Sequence, residues 1–193
     1  MARPMEFDRD EAIAKAISVF GDHGFEGSST ATLLDRMGIG RQSLYGAFGD
    51  KKRLFLEALA CYNRGSLDEI EAALAVEGSP RAAIEAALLA FATGPDAALR
   101  SGCLGVGSIA EFGRADPDIN AINDASGQRF RAAFAAQLAD GVATGEFAAD
   151  LDPQAAADFL LTVRTGLKIA ARDGVDLDGL RSTARMALRG LAA

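Results

Sequence analysis

Apolar residues recur at intervals of three and four along most of the chain, a spacing typical of amphipathic α-helices. The first such stripe contains Ile13, Ala16 and Phe20, in a helix predicted over residues 8–23. Gly24 follows this stripe at the position where a left-handed C-cap residue is common. The pattern therefore predicts a chain that begins with a helix buried along one side.

Two short helices are predicted next. The first runs from Ser28 or Ser29, either of which can serve as N-cap, to Met37, and Gly38 ends it. The second covers 41–48. Two short helices joined by a turn that contains glycine are the sequence form of a helix-turn-helix.

A fourth helix is predicted over 51–76, and serine or aspartate followed by proline marks the start of several later ones. Nine helices and no strand are expected, which makes the fold class all-α. We expect a three-helix helix-turn-helix module at 1–49 and a larger helical body at 50–193. The five helices that follow the fourth are predicted over 80–93, 103–112, 117–143, 153–172 and 177–191.

Composition supports a helical protein and excludes several classes. Of the 193 residues 40 are alanine, the best helix former, and only 5 are proline. No apolar run approaches the roughly 18 residues that a membrane span needs, and the N-terminus has no apolar signal core. Two cysteines and the single His23 supply neither a disulfide framework nor a zinc site. We therefore expect a cytoplasmic protein that is not associated with a membrane and has no cofactor or metal.

The net charge of -7 argues at first against a nucleic-acid partner, but its distribution does not. Residues 1–53 are neutral as a group, and the acidic excess follows them. Within 36–53, five basic residues stand against the single acidic Asp50. A local positive patch on an acidic body is typical of a protein that contacts phosphate at one end only.

The predicted third helix has two different faces. Leu44 and Phe48 fall on one side, whereas Gln42, Ser43 and Tyr45 point toward solvent or a partner. Three basic residues, 51–53, follow at the start of the fourth helix, where the macrodipole disfavours positive charge unless an anion is present. The alternative is that Tyr45 packs half-buried and that 51–53 is an ordinary solvated helix start.

The segment GIGRQSLYGAFGDKKRLF resembles the TetR/AcrR family of bacterial transcriptional regulators. The resemblance covers about residues 8–60 and includes HGFEGSS and LLDRMGIG. It is weaker afterwards, where SGCLGVGSIAEFGRADPDI resembles a segment found in one branch of the family. DPQAAADFLLTVRTGL resembles the penultimate, dimer-forming helix of the family.

The resemblance implies that the third helix reads base edges in the major groove of DNA. Arg41 can bind guanine through two hydrogen bonds, Gln42 can bind adenine, and Ser43 tolerates either. Gly40 replaces a commoner capping serine, so the start of this helix is expected to be weakly capped. The positions implied to contact phosphate, or expected from charge to lie near it, are Ser29, Thr30, Tyr45, Lys51 and Lys52.

The resemblance also implies a two-fold dimer on a near-palindromic operator, formed through the last two helices. Both predicted helices carry broad apolar stripes. The alternative is that these stripes complete the core of the single chain. The candidate interface residues are Phe159, Val163, Gly166, Leu167, Leu180, Ala184 and Leu188.

A small-molecule effector is implied for the helical body. Bulky residues on helices four to seven are the candidates for its pocket, and few charges fall among them, so an apolar or aromatic effector is expected. The alternative for most of them is plain core. The candidates are Leu59, Tyr62, Phe91, Cys103, Leu104, Phe112, Phe130 and Phe134.

Cys103 suggests a second kind of signal. It lies between glycines, near Arg100 and at a predicted helix N-terminus, conditions that favour a reactive thiolate. It is a candidate sensor of electrophiles or oxidants, and the alternative is a small buried hydrophobe. A helical ligand-binding or adaptor protein without DNA contact is a further alternative. An enzyme is not expected, because the chain lacks a nucleophile elbow, a phosphate loop and a metal cluster.

Overall fold

The computed structural model describes residues 7–93 and 102–192, which form nine α-helices and one short 3₁₀ helix, Ala90–Ala92. The all-α prediction is confirmed. The nearest approach to a strand within these residues is an isolated antiparallel bridge between Phe147 and Ala192. The α-helices are α1 Arg9–Gly27, α2 Thr30–Met37, α3 Arg41–Phe48, α4 Lys51–Leu74, α5 Pro80–Leu88, α6 Leu104–Phe112, α7 Pro117–Ala143, α8 Pro153–Arg172 and α9 Leu177–Arg189.

Side-chain caps fix most helix starts where the sequence predicts them. The carboxylate of Asp8 accepts hydrogen bonds from the first turn of α1, and Ser79 caps α5. Asp152 and Asp176 do the same for α8 and α9. These short polar residues satisfy backbone N–H groups that have no partner inside the helix.

The prediction of one helix over 80–93 is wrong in its last turn. α5 ends at Leu88, and Leu89 departs from α-helical geometry (φ -105°, ψ 5°) before the 3₁₀ turn. Leu88, Leu89 and Ala90 are all buried. Three consecutive buried side chains cannot lie on one stripe of a straight α-helix, and the tighter turn redirects them into the core.

The described residues divide into two compact units. The first unit comprises residues 7–64 and 102–123, and the second comprises 65–93 and 124–192. Each has a core of its own: Phe20, Leu44 and Phe55 are buried in the first, and Phe134 and Leu160 are buried in the second. The first unit therefore extends past the module predicted at 1–49 and includes α6, although the predicted boundary of the DNA-binding module itself stays a prediction.

A cluster of four phenylalanine rings lies in the first unit. The rings of Phe20 and Phe55 meet edge to face at 5.0 Å between centroids, and those of Phe25 and Phe55 do so at 5.2 Å. Phe112 of α6 lies 5.7 Å from Phe25 and 5.6 Å from Phe55. These contacts join the end of α1 to α4 and α6.

The backbone of α1 lies directly against the segment that leads into α6. A Cβ atom on Gly102 would lie 1.4 Å from the carbonyl oxygen of Gly21, so only glycine fits there. The Glu111 carboxylate accepts hydrogen bonds from the backbone N–H groups of Phe25 at 2.7 Å and Glu26 at 2.8 Å. We call this contact between α1 and 102–112 the α1–α6 contact.

Replacing Gly102 by alanine should force the two backbones apart. We expect Gly102→Ala to lower the free energy of unfolding by about 1–3 kcal/mol, as overpacking of a tight contact does. Gly107→Ala is the matched control, because Gly107 lies within α6 with open space around it. That change should stabilise by about 0.5–1 kcal/mol. Urea unfolding followed by circular dichroism measures both, and equal effects would contradict the α1–α6 contact.

Candidate DNA interface

A glycine in the left-handed conformation makes the turn between α2 and α3. Gly38 has φ 70° and ψ 30°, and its N–H donates to the carbonyls of Leu34 and Asp35. Such a residue ends a helix and redirects the chain at little cost only when it has no Cβ. Ile39, next in the turn, packs against the core of the first unit. This local structure ends α2 and turns the chain before α3 begins, as a helix-turn-helix requires.

α3 presents a polar face to solvent. Leu44 and Phe48 are 1% and 5% exposed and hold the helix to the core. Arg41 and Gln42 are exposed, Ser43 is half-buried, and Tyr45 is 46% exposed. The residues predicted to read DNA therefore lie together on the outward side of one helix, whereas their contact with bases stays a prediction.

The N-termini of the two helices near this face, α2 and α3, are capped differently. Gly40 makes no side-chain cap at the start of α3, as expected from its lack of a side chain. At the start of α2 the Ser29 hydroxyl accepts from the Thr32 N–H at 3.0 Å and shares a second hydrogen bond with the Thr32 hydroxyl. Thr30, the first residue of α2, is half-buried. Ser29 is thus a helix cap in this structure, and the helix end beside it is where an anion is favoured.

The three basic residues at the start of α4 all have partners within the first unit. The Lys51 ammonium lies 4.4 Å from the centre of the Phe25 ring. Lys52 Nζ lies 2.7 Å from Asp116 and 3.4 Å from Asp118. Arg53 pairs with Asp50. Their unfavourable position against the helix dipole therefore does not by itself require a phosphate.

The pair between Lys52 and Asp116 changes the titration of both groups. The hydrogen bond that Lys52 donates to Asp116 raises the pKa of the Lys52 amine, despite some desolvation that acts the other way. The same hydrogen bond lowers the pKa of the Asp116 carboxyl. Asp116 also caps α7, because its carboxylate accepts from the N–H groups of Asp118 and Ile119. The start of α4 is therefore fixed to the start of α7.

The predicted effector residues divide between the two units. Tyr62, Cys103 and Phe112 belong to the first, and Phe112 is part of its phenylalanine cluster. Phe91 and Phe130 are half-buried residues of the second. Three further candidates are 1% exposed or less and pack in the cores: Leu59, Leu104 and Phe134.

The predicted dimer residues also fall into two groups. Phe159 is 44% exposed, Gly166 is exposed, and Val163 is half-buried. The others, each at most 2% exposed, pack inside the second unit and offer no surface to a partner chain: Leu167, Leu180, Ala184 and Leu188. These four residues therefore belong to the core of the single chain, which was the alternative to a dimer contact.

Sequence reasoning missed a buried cation in the second unit. Arg164 of α8 is 6% exposed, and its guanidinium lies 5.9 Å and 5.8 Å from the ring centres of Phe91 and Phe130. A signal was present, because Arg164 falls on the same helical face as Leu160 and Leu167. An arginine within an apolar stripe indicates a buried charge, and the expectation of an apolar or aromatic effector did not take it into account.

The second unit also contains a polar cleft of about 560 Å³ between α5 and α9. None of the predicted effector residues lines it. Ion pairs occupy part of it, since Arg185 contacts Glu85 at 2.8 Å and Arg181 contacts Asp178 at 3.5 Å. Among residues 7–93 and 102–192 no cluster of histidine, cysteine and acidic side chains could hold a metal ion. No helix within the same ranges is long and apolar enough to cross a membrane.

A helix-turn-helix whose second helix presents an exposed polar face is the arrangement by which many transcriptional regulators dock on DNA. Comparison with known proteins identifies the family. Residues 12–58 match the model of bacterial regulatory proteins of the tetR family, and 78–186 match that of the tetracyclin repressor-like C-terminal domain. The chain belongs to the TetR family, as its resemblance in sequence had implied.

Relatives match over nearly the whole chain. The HTH-type transcriptional regulator YezE of Bacillus subtilis is 33% identical over 94% of each chain. The HTH-type transcriptional repressor ComR of Escherichia coli is 30% identical over 97% of this chain and 90% of its own length. A cysteine-substituted TetR family regulator CifR, solved with a 26-base-pair operator, is 34% identical. It covers 98% of this chain and 100% of its own, with a TM-score of 0.79.

Removing the charge of Asp116 should lower the free energy of unfolding by an amount that depends on pH. Asp116→Asn keeps a good N-cap but loses the ion pair. Since the pKa of Asp116 is lowered in the folded state, its contribution is present above the ordinary carboxyl pKa. This contribution to stability is lost as the pH falls through the lowered pKa of Asp116.

The difference in unfolding free energy between the original protein and Asp116→Asn should therefore shrink from neutral to acidic pH. Asp176→Asn is the control, because the Asp176 carboxylate likewise caps a helix, accepting from the Gly179 N–H at the start of α9. Urea unfolding across this pH range measures both. A difference for Asp116→Asn that does not change with pH would refute the role of the pair.

Proposed function

We propose that the protein is a dimeric repressor that inserts α3 into the major groove of a near-palindromic operator. The observation that carries this proposal is the exposed face of α3, held by the buried Leu44 and Phe48. Arg41 and Gln42 are the base readers in the proposal, because guanidinium and amide groups match guanine and adenine edges. Ser43 accepts either base. The operator complex of CifR, a relative 34% identical, supports this assignment.

Phosphate contacts surround α3 in this proposal. Tyr45 and Lys51 bind the DNA backbone, and the N-terminus of α2 at Ser29 and Thr30 offers its N–H groups to another phosphate. Lys52 contributes charge to the same surface while its pairing with Asp116 positions the start of α4. These contacts fix orientation, and α3 supplies the specificity.

The dimer forms through the exposed surface of α8 and α9. Phe159, Gly166 and Ile169 lie on one exposed side of α8, and a Cβ on Gly166 would meet nothing within 4 Å. Met186, 62% exposed, offers a further apolar contact on α9. A two-fold pair of α3 helices about 34–36 Å apart would enter successive major grooves on one face of DNA.

A small molecule with an aromatic body releases the repressor from DNA. Phe91 and Phe130 are its candidate contacts in the second unit because both residues are half-buried rather than fully buried. Ligand and operator bind antagonistically in this scheme, which requires that the ligand prefer one conformation of the protein. A hundredfold loss of operator affinity needs only about 2.7 kcal/mol of coupling.

A thiol-based signal is the second candidate, and one specific contact favours it. The Tyr62 hydroxyl donates to Cys103 Sγ at 3.0 Å, and the Val106 N–H points to the same sulfur at 3.4 Å. Hydrogen-bond donors at a helix N-terminus stabilise a thiolate. Arg100, the other feature expected to favour it, lies outside the described residues. In this candidate Cys103 attacks one oxygen of a peroxide, the O–O bond breaks, and a sulfenic acid and water form.

DNA binding should weaken steeply with salt, because bound counterions are released. We expect Lys51→Gln to reduce the magnitude of the log–log salt slope by about 1. Arg41→Ala should instead cost about 1–3 kcal/mol on the best site and relax the preference at one base pair. Titration of fluorescent DNA from upstream of the protein's own gene, at two salt concentrations, measures both effects.

Arg129→Ala is the control for these variants, because Arg129 is an exposed arginine of α7 in the second unit. It should leave both the slope and the preference unchanged. If the protein shows no salt-dependent affinity for this DNA, the adaptor alternative replaces the repressor. If Arg41→Ala binds every sequence as the original protein does, α3 is not the reading element.

The thiol candidate predicts that Cys103→Ser keeps operator affinity but no longer responds to hydrogen peroxide. Cys61→Ser is the control, since Cys61 is the other half-buried cysteine of the first unit. It should still be released from DNA on oxidation. If peroxide still releases the Cys103→Ser protein from DNA in the same titration, Cys103 is not the sensor.

A further inference from the structure

The polar cleft between α5 and α9 concentrates positive charge in an acidic unit. Four arginines line it, Arg81 of α5 and Arg181, Arg185 and Arg189 of α9, together with two acidic residues, which leaves a formal charge of +2. The described part of the second unit holds nine basic residues and fourteen acidic ones. Four of these nine cations therefore meet at one cleft, although the unit as a whole is negative.

The sequence of α9 brings its three arginines to one side of the helix. Arg181, Arg185 and Arg189 follow one another at intervals of four residues, so they lie along one face. Like charges at this spacing repel each other, and an anion between them would relieve the repulsion. Met186, the residue of α9 that the proposed dimer uses, does not line the cleft.

Two of the four arginines already have acidic partners. Arg185 Nε lies 2.8 Å from a carboxylate oxygen of Glu85, and Arg181 Nη1 lies 3.5 Å from one of Asp178. The side chains of Arg185 and Arg181 are 63% and 47% exposed, and ion pairs this accessible to water contribute little net energy. A guanidinium has five N–H donors, so both arginines keep donors for a ligand.

The other two arginines make no ion pair with any residue that the structure describes. Arg81 is half-buried, and it is its backbone N–H that donates to the Glu146 carboxylate, at 3.2 Å. Arg189 donates from Nη2 to the sulfur of Met186 at 3.7 Å, and a thioether is only a weak acceptor. The cleft therefore has two positive charges that no carboxylate balances.

We propose that this cleft binds the phosphate group of a small molecule, with Arg81 and Arg189 as its cationic contacts. A phosphate monoester has a charge of about -1.5 to -2 at neutral pH and presents three acceptor oxygens, so it matches the two unbalanced charges. Guanidinium groups bind phosphate oxygens through paired hydrogen bonds, and Ser182 adds a hydroxyl to the same cleft. The volume of about 560 Å³ lies within the range of about 300–1,000 Å³ that small ligands occupy.

An acidic protein segment suits this cleft less well than a small phosphate. A stable protein interface covers about 800 Å² on each partner and would extend beyond the cleft. Outside the cleft the described second unit has five basic and twelve acidic residues, which would repel an acidic partner. None of the residues that line the cleft is a proposed DNA or effector contact, so the inference does not rest on the proposed function.

Calorimetric titration of the purified full-length protein, without DNA, tests the site. The probes are inorganic phosphate, adenosine monophosphate and phenyl phosphate, and adenosine and phenol are the neutral counterparts of the two esters. We expect at least one ester to bind tenfold or more tightly than its counterpart, because hydrogen bonds to charged groups are the stronger ones. If inorganic phosphate binds as tightly as the esters, the free ion is the ligand, and if an ester binds more tightly, an organic phosphate is. No binding of any phosphate, or equal binding of each ester and its counterpart, overturns the inference.

Variants locate the charges that the phosphate meets. Arg81→Gln and Arg189→Gln should each weaken the binding of the best phosphate severalfold, and the double variant should abolish it. Arg129→Gln is the control, because Arg129 is an exposed arginine of the same unit that does not line the cleft. If circular dichroism shows that Arg81→Gln does not fold, the exposed Arg189 decides. Unchanged affinity in the folded variants, or an equal loss in Arg129→Gln, overturns the inference.

A short polyglutamate peptide separates a phosphate site from a surface for acidic proteins. The peptide offers many carboxylates and no phosphate, and we expect it to bind more weakly than the best phosphate. If the peptide binds and its affinity falls in Arg81→Gln and Arg189→Gln, while no phosphate binds, the occupant is an acidic protein segment and the inference is wrong.

Discussion

The first unit depends on the α1–α6 contact. Two glycines allow the backbones of α1 and the segment before α6 to meet with no side chain between them. Glu111 then holds the end of α1 by accepting from two of its backbone N–H groups. α1 in turn packs against α2 and supplies Phe20 to the core that also contains Leu44 and Phe48 of α3.

The same contact lies next to the residues of the second candidate signal. Cys103 follows Gly102 directly and caps α6, and Tyr62 of α4 donates to its sulfur. A change of size or charge at this sulfur would act on the cap of α6 and on the backbone contact beside it. The cysteine of the second candidate signal therefore lies in the first unit, which also contains the helix-turn-helix.

Local signals in the sequence predicted much of the fold. Polar caps at Ser29, Ser79 and Asp152, and the glycine at 38, act within a few residues of themselves, so their effects can be read along the chain. The outward face of α3 followed from the 3.6-residue period alone. The break at Leu89 did not, because it depends on which sides of that helix meet the core.

The contacts that were missed join residues far apart in sequence. Lys52 pairs with Asp116, and Arg164 lies beside the rings of Phe91 and Phe130. No local sequence pattern connects the residues of either contact. The stripes of α8 and α9 were visible, but a stripe does not say whether it faces the core or a second chain. Leu180 and Leu188 face the core, whereas Phe159 remains exposed. Family resemblance supplied the proposal that α3 reads DNA, and the exposed polar face of α3 is compatible with that proposal.

Photo-crosslinking tests the central claim, that α3 lies against duplex DNA, most directly. A benzophenone amino acid replaces Gln42 in one preparation and Ile109, 58% exposed on α6, in another. After illumination with upstream DNA, the account predicts a covalent protein–DNA product from position 42 and none from position 109. A product from position 109 alone, or from neither position while the DNA is bound, would contradict it.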